Sequence, residues 1–257
     1  MKSTLYPRAR GFALTGMVVC LLVGAADAAA GSVTVVSSHQ IGKSKTELSE
    51  KGGLSLYVKV NGQVILFDTG DENGPLLKNL EELGLDAAQI DAVVISHNQS
   101  EKVHGELLDV LSDTEGKPKT YVPSPAIDAV LRQYPGANVV AVAKPTSVLT
   151  DVWLVGPMQL DSQGGASVEQ ALVLDRPDGL VVIVGCSFPG VAAVVQQVKE
   201  VFGFRRIKLL VGGFHLQATS KKEIREISLS LQQKGVKGLA LSGCTGEAAL
   251  KIFRQEW

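Results

Sequence analysis

Apolar and polar residues alternate from Leu54 to Val60 (L-S-L-Y-V-K-V), the period of two that a half-buried strand requires. Asn61-Gly62 follows as a two-residue hairpin turn, and Val64 to Phe67 predicts the return strand, ending at Asp68-Thr69-Gly70. Leu76, Leu77, Leu80 and Leu83 then recur at helical spacing until Gly84 stops the helix. Ala92 to Ile95 is a short, wholly apolar strand ending at Ser96-His97, and Leu107, Leu108 and Leu111 predict a further helix. Thr120 to Val122 and Val139 to Val142 read as strands around a helix near 126–133.

The second half repeats this mixture. Leu172 to Leu174 and Leu180 to Val184 are strands joined by Pro177-Asp178-Gly179. Val191, Val194, Val195 and Val198 line one face of a helix after Gly190. Ile207 to Val211 is a buried strand ending in Gly212-Gly213-Phe214-His215. Ser220 and Glu223 have capping-box spacing before Ile224, Ile227 and Leu231. Leu239 to Leu241 is a last strand, ending at Ser242-Gly243-Cys244-Thr245-Gly246, and a helix runs on to Trp257. Strands alternating with amphipathic helices predict an α/β protein with buried sheets and outer helices. No linker divides it, so residues 31–257 read as a single domain of two similar halves. Turns at 68–70, 96–105, 185–190, 212–215 and 242–246 are expected to gather at one edge as a site.

The first thirty residues read differently. Lys2, Arg8 and Arg10 precede an apolar run from Gly11 to Ala26, broken only by Thr15, and small residues follow at 26–30. That is the layout of a secretory signal peptide over residues 1–30; the run is shorter than the ~20 residues that span a bilayer. The expectation is export to the periplasm or beyond, with cleavage and no stable membrane insertion. The whole chain of 257 residues has a net charge of -1. Cleavage would remove three bases and Asp27, leaving 22 bases and 25 acids, a net of -3. No stretch concentrates Lys and Arg, which excludes a nucleic-acid footprint. Cleavage would also remove Cys20, leaving Cys186 and Cys244 in a compartment that favours oxidation.

Five ordered motifs carry a resemblance: F-D-T-G (67–70), I-D-A-V-V-I-S-H (90–97), G-C-S (185–187), G-G-F-H-L (212–216) and C-T-G (244–246), supported by Glu169-Gln170-Ala171-Leu172 and Gly179 to Ile183. Together they resemble the metallo-β-lactamase superfamily, and within it the dihydropterin-ribofuranosylaminobenzene-phosphate synthase-like branch, over about residues 45–255. The resemblance implies an αββα sandwich of two facing mixed sheets with outer helices and a metal site at one sheet edge. It also implies a metal motif H-x-H-x-D-H, a C-S-H and an H-C-T-G. This chain departs from each. Its first motif holds His97, Gln99, Glu101 and Lys102; C-S-H becomes Cys186-Ser187-Phe188; H-C-T-G becomes Gly243-Cys244-Thr245-Gly246. One histidine and one carboxylate remain, and four imidazoles are lost.

A hydrolytic zinc needs about three protein ligands plus a water position, and a paired-metal site needs about twice that. Phe188 and Gly243 offer no side-chain donor, and Gln99 is a weak neutral ligand. The Lys102 ammonium has donors and no lone pair, so it suits a pocket where an amine has replaced a metal charge, paired with Glu101 or Asp68. Two readings follow. In the first, the pocket (Asp68, His97, Gln99, Glu101, Lys102, Phe188, Gly243) is a degenerate metal site without a cofactor, in a non-catalytic protein that binds a small anionic ligand or acts as an accessory. In the second, the protein is a metal-dependent hydrolase or transferase with a mononuclear zinc or other divalent ion on His97, Glu101 and His215, completed by Gln99, His104 or a cysteine. For individual residues the blander readings stand beside these: His97 as a strand-end hydrogen bonder, His215 as a loop residue, His104 and His39 as surface, Asp68 as a brace of its turn. Cys186 and Cys244 leave three readings open: a disulfide, a soft-metal pair, or two separate buried thiols.

Overall fold

The computed structural model describes residues 12–13, 31–37, 53–71, 74–97, 110, 118–159, 168–187 and 190–257. Five helices and thirteen strands are described. The strands are β1 (Phe12–Ala13), β2 (Ser32–Ser37), β3 (Ser55–Val60), β4 (Gln63–Phe67), β5 (Ala92–Val94), β6 (Lys119–Pro123), β7 (Asn138–Val142), β8 (Thr146–Leu149), β9 (Val152–Gln159), β10 (Val168–Arg176), β11 (Gly179–Val184), β12 (Ile207–Gly212) and β13 (Leu239–Leu241). The helices are α1 (Leu76–Glu82), α2 (Ile127–Gln133), α3 (Val191–Phe202), α4 (Lys221–Gln233) and α5 (Glu247–Glu256).

The strands form two sheets, one in the order β2-β3-β4-β5-β6-β7 and the other β1-β13-β12-β11-β10-β9-β8. Both are mixed. In the first, β3 pairs antiparallel with β2 and β4, then β4, β5, β6 and β7 run parallel. In the second, β11, β12 and β13 are parallel, and β8, β9, β10 and β11 antiparallel. The period-two alternation of β3 and β4 places Leu56, Val58, Ile65 and Phe67 against Leu154, Leu172, Val181 and Ile183 of the opposite sheet. Each such side chain, fully buried, stabilises the fold by roughly 1.5–3 kcal/mol relative to exposure. Outside, Val191, Val194, Val195 and Val198 of α3 pack with Ile224 and Leu231 of α4 and Phe253 of α5 on one sheet. Leu76 and Leu80 of α1 and Val130 of α2 cover the other. The result is the αββα sandwich expected.

Several local expectations hold in detail. The Asn61-Gly62 turn joins β3 and β4, with Val60 opposite Gln63. The Ser220–Glu223 capping box is formed. Four strands, β1, β2, β8 and β9, lie outside the sequence reading. β2 was not read, and the edge strand β8 is mostly polar or half-exposed. β9 carries Gly156-Pro157 in its interior, a pair that reads as a break. Gly156 is there because β10 passes so close: a Cβ at 156 would lie 2.7 Å from Gln170 Cβ, beside the bulge between Glu169 and Ala171. Within the segment read as the leader, Phe12 and Ala13 pair parallel with Ala240 and Leu241 at the sheet edge. The helix expected at Leu107, Leu108 and Leu111 falls mostly outside the described residues.

Candidate functional site

The parallel strands all end on one side of the sandwich, so their C-terminal turns converge. Asp68 follows β4, Ser96-His97 follow β5, Gly185-Cys186-Ser187 follow β11, Gly213 to His215 follow β12, and Ser242 to Cys244 follow β13. The antiparallel β10 begins there, contributing Glu169 and Gln170. Asp68, Ser187 and His215 all have left-handed backbones, with φ of 56°, 53° and 49°. Such conformations are uncommon for non-glycine residues and cluster at functional turns.

Asp68 is buried, and Ser96 holds both its oxygens. Ser96 N donates to Oδ1 and Ser96 Oγ to Oδ2, each at 2.7 Å. Ser96 Oγ also meets His97 Nδ1 at 2.6 Å, giving an Asp68–Ser96–His97 chain. Burial pushes the Asp68 carboxyl up to about 7, against the hydrogen bonds from Ser96. Gly185 makes this packing possible: a Cβ there would sit 2.2 Å from Ser96 Oγ and 3.0 Å from Asp68 Oδ2. The chain is tied to the other sheet at the same place. Gln170 N donates to Ser96 O at 2.7 Å, Gln170 Nε2 to Ile95 O at 2.8 Å, and His97 bridges Glu169. Glu169 is fully buried, and its Oε1 accepts from Ser187 N at 2.9 Å. Ser187 Oγ is buried with no hydrogen-bond partner.

Cys186 and Cys244 meet over β12. Their Sγ atoms lie 3.8 Å apart as free thiols, and Ser242 Oγ is 3.2 Å from Cys244 Sγ. The Cys244 thiol is held down to about 7, chiefly by the hydrogen bond from Cys186, with Ser242 and the backbone N–H groups of His215 and Cys244 adding to it against burial. The same bond and burial push the Cys186 thiol up, helped by the Glu169 and Asp68 carboxylates.

The structure thus brings together Asp68, His97, Cys186, Cys244 and the backbone of Gly243. His215 lies at the same edge with an exposed side chain. Gln99, Glu101, Lys102, His104, Phe188 and His39 fall outside the described residues. Sequence reasoning passed over Ser96, Glu169 and Ser242 as parts of the site. Their signal was polar residues at the ends of otherwise apolar strands.

Of the positions where the resemblance implies ligands, the described residues include His97 and Gly243, and Gly243 has no side chain to offer. Among them no group of three or more His, Cys, Asp or Glu side chains is placed to hold an ion. Asp68 commits both oxygens to Ser96, and Glu169 commits Oε1 to Ser187.

Comparison with known proteins agrees with the fold. No family model matches the chain. It is 24% identical over 251 residues, 80% of this chain and 84% of the relative, to 7,8-dihydropterin-6-methyl-4-(β-D-ribofuranosyl)-aminobenzene-5'-phosphate synthase of Methanocaldococcus jannaschii. A crystal structure of a metal-dependent hydrolase of the β-lactamase superfamily superimposes with a TM-score of 0.68 at 27% identity, covering 87% of this chain and 92% of that one. The metallo-β-lactamase fold protein YhfI from Bacillus subtilis gives 0.58 at 12% identity, covering 88% and 91%. With two facing sheets, outer helices, five matching strand-end motifs and these relatives, the chain is a metallo-β-lactamase-fold protein whose sequence is similar to that synthase.

Proposed function

We propose that this is an exported metallo-β-lactamase-fold protein that keeps the strand-end cleft of the fold without its paired metals, and uses Lys102 to hold a small anionic ligand. The observation that carries this reading is the side-chain set at the ligand positions: Gln99, Lys102, Phe188 and Gly243 stand where the resemblance implies imidazoles. A lysine ammonium about 4 Å from a dication in a partly solvated cleft is repelled by on the order of 8 kcal/mol. The same ammonium attracts an anion. Two features of the described site support it. Burial raises the Asp68 carboxyl to about 7 while Ser96 holds both its oxygens, and Ser187 Oγ is a buried hydroxyl that an anion could engage. The N-terminal Lys/Arg residues and apolar run support export. The relative's synthase reaction is not carried over to this chain.

Calorimetric titration with inorganic phosphate tests the ligand class. Saturable binding that Lys102→Gln weakens at least tenfold supports it; binding unchanged by Lys102→Gln contradicts it.

The second reading is a mononuclear hydrolase or transferase using His97, Glu101 and His215. It is favoured by one observation: Ser96 Oγ fixes His97 through Nδ1, as outer partners orient ligating imidazoles. It is also in keeping with the metal dependence of the 27% identical structure. The two readings part on metal content and on zinc- or manganese-dependent turnover of phosphodiester or lactone substrates.

A further inference from the structure

β11 and β13 are not neighbours, since β12 lies between them, so at ordinary strand spacing they are about 10 Å apart. Cys186 and Cys244 close that gap from either side, and their sulfurs touch at 3.8 Å. The contact exists because the residue beneath it is Gly213: a Cβ there would fall 1.9 Å from Cys244 Sγ. Both cysteines are half-buried at the strand ends. The two sulfurs are unlike. Cys244 Sγ faces donors, namely the Ser242 hydroxyl and the backbone N–H groups of His215 and Cys244. Cys186 lies on the side of the buried Glu169 carboxylate. The Ser242 hydroxyl 3.2 Å from Cys244 Sγ marks Cys244 as the attacking sulfur and leaves Cys186 to resolve the adduct. A soft cation bound by the pair needs further donors, and among the described residues no third His, Cys, Asp or Glu completes such a group.

We propose that Cys186 and Cys244 form a thiol–disulfide exchange centre in which Cys244 attacks a low-molecular-weight disulfide and Cys186 resolves the adduct. The Cys244 thiolate attacks one sulfur of RS–SR; a Cys244–SR bond forms and RS⁻ leaves. Cys186 gives its proton to that RS⁻ and attacks Cys244 Sγ, forming the Cys186–Cys244 bond and expelling a second RS⁻, which takes a proton from water. The two protein thiols are oxidised by two electrons and the external disulfide is reduced to two thiols. Closing the bond brings the sulfurs from 3.8 Å to about 2.05 Å. This centre does not depend on what the cleft binds.

The test uses the full chain carrying Cys20→Ser, so that only Cys186 and Cys244 hold thiols, treated with oxidised glutathione. Released glutathione and thiols alkylated under denaturing conditions are then counted. The expected result is two glutathiones released per chain and no thiol left to alkylate, both reversed by dithiothreitol. With Cys186→Ser, Cys244 retains one glutathione as a stable mixed disulfide. With Cys244→Ser, Cys186 reacts at least about tenfold more slowly. Two thiols that remain alkylatable after treatment overturn the proposal. So does a bound metal that blocks both thiols until a chelator removes it.

Discussion

Asp68→Asn preserves the shape of the buried contact and removes its titration. The Asn carbonyl can accept from Ser96 N; its amide stands where Oδ2 accepts from Ser96 Oγ, so the hydroxyl turns its proton to His97 Nδ1, as it does opposite a protonated Asp68. Asn also tolerates the left-handed φ of 56° at this position. Burial raises the carboxyl from 3.8 to about 7. Between those pH values the folded protein holds a proton that the unfolded chain has released, so wild-type stability falls as pH rises through the window and levels off above 7. A rise of about three pH units at about 1.36 kcal/mol each gives a loss of up to about 4 kcal/mol. The variant has no such loss. Its advantage in unfolding free energy should be near zero at pH 3, about 1–2 kcal/mol at pH 5 and up to about 4 kcal/mol at pH 8. Urea denaturation of both proteins across that range, with equal m-values, reads the difference. A variant that is less stable than wild type at pH 8 would refute the reasoning. It would mean that Asp68 is ionised and held by a cation, with Lys102 the first candidate.

Three smaller perturbations examine the parts around it. Gly185→Ala places a methyl 2.2 Å from Ser96 Oγ; it should destabilise by about 1–3 kcal/mol and flatten the pH dependence that Asp68 confers, checked by the same urea series. Gln170→Leu removes the bonds to Ile95 O and Tyr121 O that join the two sheets; Tyr121 O keeps Ile95 N, but Ile95 O loses its Gln170 donor. A loss of about 1–3 kcal/mol is expected, and no change in denaturation midpoint would contradict the role assigned to it. Ser220→Ala deletes the cap of α4 and should cost about 1 kcal/mol, seen as a lower midpoint without any change at the cysteines.

Much of the scaffold was legible because its local signals are strong. Leu54 to Phe67 alternates around Asn-Gly, and Ser220-x-x-Glu223 announces its helix, so β3, β4 and α4 appear where expected. β9 was hidden because Gly156-Pro157 mimics a break, when the glycine in fact answers the close passage of Gln170. The candidate site was legible only in outline. The strand-end motifs located Asp68, His97 and the cysteines at one edge, but pattern alone could not say that burial raises the Asp68 carboxyl to about 7. Nor could it say that Glu169 sits fully buried beneath Ser187. Those facts depend on the register between sheets. The meeting of Cys186 and Cys244 depends on a strand neither belongs to, and on a glycine at its end.

The central claim, that an amine has taken over from metal ions in the cleft, is tested most directly by elemental analysis of the protein purified without chelator. The account predicts zinc, iron and manganese each well below one equivalent per chain, with Lys102→His and Phe188→His together raising the zinc retained. Near-stoichiometric metal in the wild-type protein, released only on unfolding or by strong chelation, would contradict it.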